Sequence, residues 1–265
     1  MPLLAVDIDN SHTSLGLISD GEVSADRRVS TDERRTSDEW WALLRGLLSP
    51  DEIASIDGVA VCATVPSVLQ AWRGMLARHL ADARAVVVEP GVRTGIPVLM
   101  DNPREVGTDR IANAVAAAAT HPGAVVIVDF GGIATTFDVV NAKGQYVGGA
   151  ISPGIELSLE ALGRRGAQLR KVELVRPRSV IAKNTVEALQ SGMLFGVAAQ
   201  VDGMVGRMLA ELREGPGSGS EQVSVVATGY LAELVMRESA CFTEHSPWLT
   251  LQGLELIFRR NAPRT

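Results

Sequence analysis

Short apolar blocks separated by polar turns run the length of this chain. Leu3-Leu4-Ala5-Val6-Asp7 predicts a buried strand, and Asp9-Asn10-Ser11-His12-Thr13 supplies turn chemistry after it. Ser14-Leu15-Gly16-Leu17-Ile18 predicts a second strand, closed by a hairpin-like turn at Ser19-Asp20-Gly21. Over 37–49, Trp40, Trp41, Leu43, Leu44, Leu47 and Leu48 recur at helical spacing behind an N-capping Ser37-Asp38-Glu39. Short buried strands are expected over 59–63 and 85–88, flanking a helix over 66–82, and a small-residue helix over 111–120.

The opening then recurs. Ala124-Val125-Val126-Ile127-Val128-Asp129 is again an apolar strand ending in aspartate, followed by Gly131-Gly132-Ile133-Ala134-Thr135-Thr136. Phe137-Asp138-Val139-Val140 and a turn at Asn141-Ala142-Lys143-Gly144 complete the repeat. This duplication predicts two lobes, 1–121 and 122–265, divided near His121-Pro122-Gly123. A long helix over 186–212 is expected behind a Thr185 N-cap, then a Gly/Ser/Pro-rich surface loop over 213–220. A third strand–loop unit, Val223 to Gly229, precedes a helix from Leu231.

Composition narrows the class. With 265 residues, the chain can form one large domain or two lobes of about 130 residues. Aromatics are only 4% while Ala, Val, Leu and Gly abound, which suits helices packed on a buried sheet. The net charge of −6 runs against a binder that relies on neutralising nucleic-acid phosphates. Cys62 and Cys241 are far apart in a chain too large to need stapling, so two free thiols in a cytoplasmic setting are expected. The charged residues Asp7 and Asp9 come too early for a signal peptide, and no apolar run approaches the roughly 18 residues of a membrane span.

Aspartates at the carboxyl ends of strands stand where open α/β sheets place ligand groups. The loop after Asp7 is rich in hydroxyls, amides and backbone N–H groups that can wrap phosphate while the carboxylate holds Mg²⁺. Taken alone, Asp7 reads equally as a turn former. Asp129, with Thr228-Gly229 after a third strand, adds a second phosphate-facing loop and a nucleoside-side turn, as a nucleotide clamped between two lobes requires. Asp109 and Arg110 stand at a helix start. They read either as a cap with a solvated surface charge, or as a base taking a proton from a substrate hydroxyl beside a group that binds an anion. Over 164–183, Arg164, Arg165, Arg170, Lys171, Arg176, Arg178 and Lys183 face only Glu173, which suits an anion site or a solvated face. Of the scattered histidines only His12 lies in a candidate loop, and none has metal-ligand spacing.

Six stretches resemble the motifs of type III pantothenate kinases. They are Val6 to Thr13, Glu105 to Asn113, Val128 to Gly131, Gly148 to Gly154, Lys183-Asn184-Thr185 and Leu249 to Leu254, in order along nearly the whole chain. The resemblance implies an α/β, two-lobed, duplicated ribonuclease-H-like fold of the acetate and sugar kinase and actin superfamily, with mixed sheets flanked by helices. It implies a homodimeric kinase that phosphorylates pantothenate with ATP in coenzyme A biosynthesis. By position, Asp7 would serve Mg²⁺, and Asn10, Ser11, His12 and Thr13 the ATP phosphates. Gly132, Thr135 and Gly229 would lie at the ATP, and Asp129 would bind K⁺ or NH₄⁺. Asp109 would be the general base, while Gly107, Thr108, Arg110 and Thr185 would hold pantothenate.

The chain also departs from the family pattern. Asp9 and Ile133 replace a glycine and a threonine in the phosphate loops, and Tyr230 replaces the second glycine of the Ala–Thr–Gly–Gly turn. Ala182 stands for a glycine, and Met100 for a tyrosine of the substrate pocket. Three of these changes fall on the nucleotide side. Asp9 would either turn to solvent or metal, leaving a kinase, or block phosphate, leaving a binding protein. Pantothenate phosphorylation is the function expected; a kinase for another small hydroxy acid or amide, and a non-catalytic dimeric binding protein, are the alternatives.

Overall fold

The computed structural model describes residues 2–165, 172–214 and 223–261. Leu3–Ile8 is β1 and His12–Ser19 is β2, joined through the Asp20-Gly21 turn to β3 at Glu22–Ser30. There follow α1 (Ser37–Leu47), α2 (Pro50–Ala54), β4 (Gly58–Ala63), α3 (Pro66–His79) and β5 (Arg84–Val87). A 3₁₀ turn at Pro103–Glu105 leads to α4 (Thr108–Thr120). Then come β6 (Val125–Asp129), β7 (Ala134–Val140), β8 (Tyr146–Pro153), α5 (Ile155–Arg165) and α6 (Thr185–Glu214). The described chain ends with β9 (Ser224–Thr228), α7 (Ala232–Met236), β10 (Glu244–His245) and α8 (Leu249–Asn261).

Two units emerge: Met1–Ala119 with Trp248–Thr265, and Thr120–Pro247. The C-terminal helix thus belongs with the first unit, whereas the 122–265 division drawn from the sequence put it in the second lobe. The cause is long-range packing: α8 lies against β1, β2 and β4, where the Phe258 ring covers Gly58 and Leu251 covers Gly16.

In the first unit the strand order is β3-β2-β1-β4-β5, with β1, β4 and β5 parallel, β2 antiparallel to β1 and β3 antiparallel to β2. In the second it is β10-β9-β6-β7-β8, the same order read from the other edge, with the same mixture of directions. The duplication seen in the sequence is therefore a duplication of topology. One face of the first sheet presents Leu4, Val6 and Ile8 to a core built by Trp40 and Leu44 of α1 and Trp72 and Met75 of α3. Each such side chain, fully buried, contributes about 1.5–3 kcal/mol. The opposite face carries Leu3, Ala5 and Asp7, because successive strand side chains alternate. In the second unit, Val126, Val128, Phe137 and Val139 pack under Val197, Val201 and Val205 of α6.

Several boundaries move. Thr36, not Ser37, caps α1: it accepts from the Glu39 N–H while the Glu39 carboxylate takes the Thr36 N–H, closing a capping box. Helix α3 ends at His79, short of residue 82. Helix α4 begins at Thr108, three residues before the expected start, so Asp109 and Arg110 lie in its first turn. At α6, Asn184 rather than Thr185 caps, since its Oδ1 accepts the Glu187 N–H at 2.9 Å. Strands β3 and β8, helix α5 and helix α8 have no counterpart in the predicted elements.

Candidate functional site

In the first unit, β1 delivers Asp7 to the carboxyl end of the sheet and the chain turns back at once. The Asp9 N–H bonds the His12 carbonyl at 3.0 Å, and Thr31 ties the turn from beside it through the Asp9 carbonyl at 2.7 Å. Asn10 is exposed, and Ser11 and His12 touch each other, Oγ to Nδ1, at 3.0 Å. Thr13 points the other way. It is fully buried, with its hydroxyl 2.9 Å from that of Thr31.

Asp9 folds onto its own loop. Its Oδ1 accepts the Asn10 backbone N–H at 2.6 Å, with the Asn10 side-chain amide at 3.3 Å and the Thr64 hydroxyl at 3.4 Å. The residue is half-exposed, and through Oδ1 the carboxylate stays with its own loop. It holds a backbone donor that the sequence reading reserved for phosphate.

Asp109 reaches the same end of the sheet from α4. Gly107 accepts the first helical N–H, from Ile111 at 3.1 Å, so Asp109 is inside the helix and is not its cap. The Asp109 carboxylate lies back over Gly107, where a Cβ would press on its Oδ1 unless that flexible side chain moved. Thr108 pins this start to β4: its hydroxyl accepts the Ala63 N–H at 3.1 Å and lies 3.3 Å from the Ala63 carbonyl. Arg110 is half-buried beside it.

One residue reports on all three carboxylates. Cys62, fully buried on β4 and paired in register with Asp7, donates its thiol hydrogen to Asp7 Oδ1 at 3.1 Å. Burial pushes its pKa well above the ordinary thiol range, and the charges of Asp7, Asp109 and Asp9 push it further. Asp7, Asp9 and Asp109 are thus close enough to act on one thiol. The sequence reading took Cys62 only as a free thiol and did not mention Thr64; their place beside Asp7 and Asp9 comes from the parallel β1–β4 register, which the sequence does not display.

In the second unit, Asp129 is the last residue of β6, where Asp7 is the last but one of β1, and its Oδ1 accepts the Gly131 N–H at 2.7 Å. The neighbouring turn is pinned by the Phe130 N–H to the Thr228 carbonyl at 2.9 Å. Gly229 has φ +87°, and a Cβ there would strike the Gly131 nitrogen and the Asp129 carboxylate, so no other residue fits. Gly132 is half-buried in the loop, and Ile133 is 44% exposed where a hydroxyl was expected. Thr135 is buried on β7, at the position matching Thr13 on β2. A polar network lies further in: the fully buried Asp138 accepts the Tyr146 hydroxyl at 2.7 Å and that of Thr136 at 3.1 Å.

Thr185 is exposed at the start of α6. Three residues of the basic stretch near it are paired: Arg164 with Glu160, Arg176 with Glu238 and Arg178 with Glu187. The hydrogen bond and charge of Arg178 hold the Glu187 carboxyl below its usual range. Lys183 is exposed, while Arg170 and Lys171 and most of the 213–220 loop lie outside the described residues.

The sequence profile described as type III pantothenate kinase matches residues 3–207. A type III pantothenate kinase from Nocardioides sp. is 70% identical over 262 residues, spanning 99% of this chain and 100% of that protein. Another from Streptomyces coelicolor is 54% identical over 268 residues, 99% of each chain.

This chain belongs to the type III pantothenate kinase family.

Solved structures extend the likeness at the level of fold. The activator of 2-hydroxyisocaproyl-CoA dehydratase from Clostridium difficile, with bound ADPNP, superposes with TM-score 0.55 at 14% identity, covering 100% of this chain and 99% of that one. Component A of (R)-2-hydroxyglutaryl-CoA dehydratase from Acidaminococcus fermentans gives TM-score 0.52 at 14% identity, over 99% and 100% of the two chains. The type III pantothenate kinase family thus appears here on the two-sheet, actin-like α/β architecture. The Gly107-Thr108-Asp109-Arg110 segment lies where α4 starts.

Proposed function

We propose that this protein transfers the γ-phosphoryl group of ATP to the primary hydroxyl of pantothenate, giving 4'-phosphopantothenate, the first step of coenzyme A biosynthesis. The observation that carries the reading is the 70% identity, end to end, with a type III pantothenate kinase. Asp109 is the base. As the hydroxyl oxygen bonds the γ-phosphorus, the bond to the β–γ bridging oxygen breaks, ADP leaves, and the hydroxyl proton passes to the Asp109 carboxylate. Gly107, Thr108, Arg110 and Thr185 hold pantothenate, Arg110 through its carboxylate. Asn10, Ser11 and His12 offer donors to the ATP phosphates; Thr13 and Thr135 shape their loops from inside the sheets, and Gly132 and Gly229 let backbone approach the nucleotide.

Asp7 suits Mg²⁺: it is a half-buried carboxylate at a strand end, oriented by a neutral thiol. Bound there, Mg²⁺ would neutralise charge developing on the phosphates. Asp129 suits K⁺ or NH₄⁺, because its carboxylate lies against a glycine cradle with no room for a Cβ. A homodimer is supported by exposed apolar side chains of the second unit, Ile151, Leu157, Val180 and Val186 among them, with Ile181 84% exposed. No helix among the described residues is long and apolar enough to cross a membrane. Two free thiols favour a cytoplasmic setting.

The hold of Asp9 on the Asn10 N–H favours a second reading, a non-catalytic ligand-binding protein. A coupled assay of ADP release with Mg²⁺·ATP, with and without pantothenate, decides between them. Pantothenate-dependent release supports the kinase, and binding of either ligand without release supports the alternative.

A further inference from the structure

In each sheet, the residue that follows the third strand in chain order lies against the loop after the first strand's aspartate. In the second unit it is Gly154, just after β8. Its N–H bonds the Ile133 carbonyl at 2.7 Å, and a Cβ there would come within 2.7 Å of the Gly132 and Ile133 carbonyl oxygens. In the first unit it is Thr31, just after β3, whose N–H bonds the Ser11 carbonyl at 3.0 Å. Ser11 follows Asp7 by four residues, as Ile133 follows Asp129, so the crossing is the same in both halves. The first unit adds a side chain to it. The Thr31 hydroxyl donates to the Asp9 carbonyl at 2.7 Å and lies 2.9 Å from the hydroxyl of the fully buried Thr13. Its one hydrogen is committed to Asp9, so Thr13 is the donor to Thr31.

The geometry points to Thr31 as a positioning residue of this kinase: its hydroxyl fixes the Asp9–Asn10 peptide unit and so aims the Asn10 N–H at the nucleotide phosphates. The inference rests on the kinase reading given above. A trans peptide is planar, with its C=O and N–H directed to opposite sides. A donor on the Asp9 carbonyl therefore sends the Asn10 N–H the other way, away from Thr31. There Asp9 Oδ1 takes it at 2.6 Å, in the place that an anionic phosphate oxygen would fill. Asp9 cannot set this direction by itself, because its side chain moves with the same peptide. Its N–H bond to the His12 carbonyl fixes the preceding peptide instead. Thr31 is anchored outside the loop, by the pairing of β3 with β2 as far as Ser30 and by its own N–H bond, and so provides the fixed reference.

The test separates the hydroxyl from the methyl beside it. Thr31→Val keeps the shape and loses the donor, Thr31→Ser keeps the donor and loses the methyl, and Thr31→Ala loses both. All three retain the backbone N–H that bonds Ser11. Each variant is checked for cooperative melting. Its affinity for the non-hydrolysable analogue Mg²⁺·ADPNP is then measured by calorimetry, and the pantothenate KM at saturating ATP by steady-state assay. The valine and alanine variants should bind Mg²⁺·ADPNP about tenfold more weakly, the size of one hydrogen bond to a charged group, while the serine variant stays within about threefold of wild type. The pantothenate KM should stay nearly constant across all three. If the valine variant binds like wild type, or the serine variant falls with it, the hydroxyl does not aim the loop and the proposal falls. Equal losses in analogue affinity and pantothenate KM would mark Thr31 as a support of the whole fold and overturn it too. Should the valine variant fail to fold, the serine and alanine variants give the same contrast. Calorimetry keeps the two readings apart. A wild type that binds Mg²⁺·ADPNP without phosphorylating pantothenate overturns the function alone, while one that binds no Mg²⁺·ADPNP overturns both.

Discussion

The Glu255 carboxylate accepts the backbone N–H of Asp20 at 2.8 Å through one oxygen and that of Gly21 at 2.8 Å through the other. The last helix therefore closes the hairpin turn between the second and third strands. Asp20 sits in the left-handed region at φ 54°, and its turn exposes two N–H groups that need acceptors. Arg259 completes the cluster, bonding Glu255 at 2.8 Å and Asp20 at 2.6 Å. Glu255→Ala should destabilise the protein by about 2–4 kcal/mol, the cost of leaving a charge-assisted pair of donors without an acceptor. Glu255→Gln should cost less, because one acceptor oxygen remains. Urea denaturation measures both, and a loss below about 0.5 kcal/mol for the alanine variant would mean the helix is held by its apolar face alone.

Asp109→Asn removes the base while keeping size and the close packing over Gly107. Turnover should fall by about 10²–10⁴ with the melting temperature nearly unchanged. Near-normal turnover in a stably folded variant would take Asp109 out of the chemistry.

Asp9→Gly should free the Asn10 N–H for phosphate and remove a negative charge from the loop. At 4 Å, two unit charges repel by about 4 kcal/mol at an effective dielectric of 20, so ATP affinity should rise at least tenfold. The gain should shrink as Mg²⁺ is raised, since the cation screens the same repulsion. A large gain in affinity from an inactive parent would instead favour the binding-protein reading.

Asp129 predicts a cation effect. Its carboxylate stands at the end of β6 against the Gly131 and Gly229 backbone and accepts the Gly131 N–H at 2.7 Å. Activity and melting temperature should be higher in K⁺ or NH₄⁺ than in Na⁺, and Asp129→Ala should erase the difference. A wild type indifferent to the cation would remove this site.

Acid stability should depend on two capping boxes. The Thr36 backbone and side-chain hydrogen bonds hold Glu39 below its ordinary pKa, and those of Ser49 do the same for Glu52. Each folded-state value is depressed, so the unfolded chain binds protons first as pH falls. The contribution to stability is complete above the ordinary glutamate value and is lost as pH drops through the folded value. Glu39→Gln with Glu52→Gln should therefore flatten the acid limb of a stability–pH curve and leave its slope near neutrality unchanged.

What the sequence alone determined is local. The two strand–aspartate–loop units were legible at Asp7 and Asp129 because apolar runs and turn residues act within a few positions of themselves. The start of the Gly107–Arg110 element was legible for the same reason, although the helix begins at Thr108 rather than residue 111. Strand β3 escaped notice because only Ala25 in it is buried: it is an edge held by pairing with β2, not by an apolar face of its own. Strand β8, also an edge, is interrupted by Gly148 and Gly149. Tertiary structure decided the rest. The thiol of Cys62 meets Asp7, Thr108 meets Ala63, and Glu255 meets Asp20 only because strand register and helix packing bring distant segments together. Register is set by the whole hydrogen-bond ladder and the face it must bury, and no window of neighbouring residues contains that information.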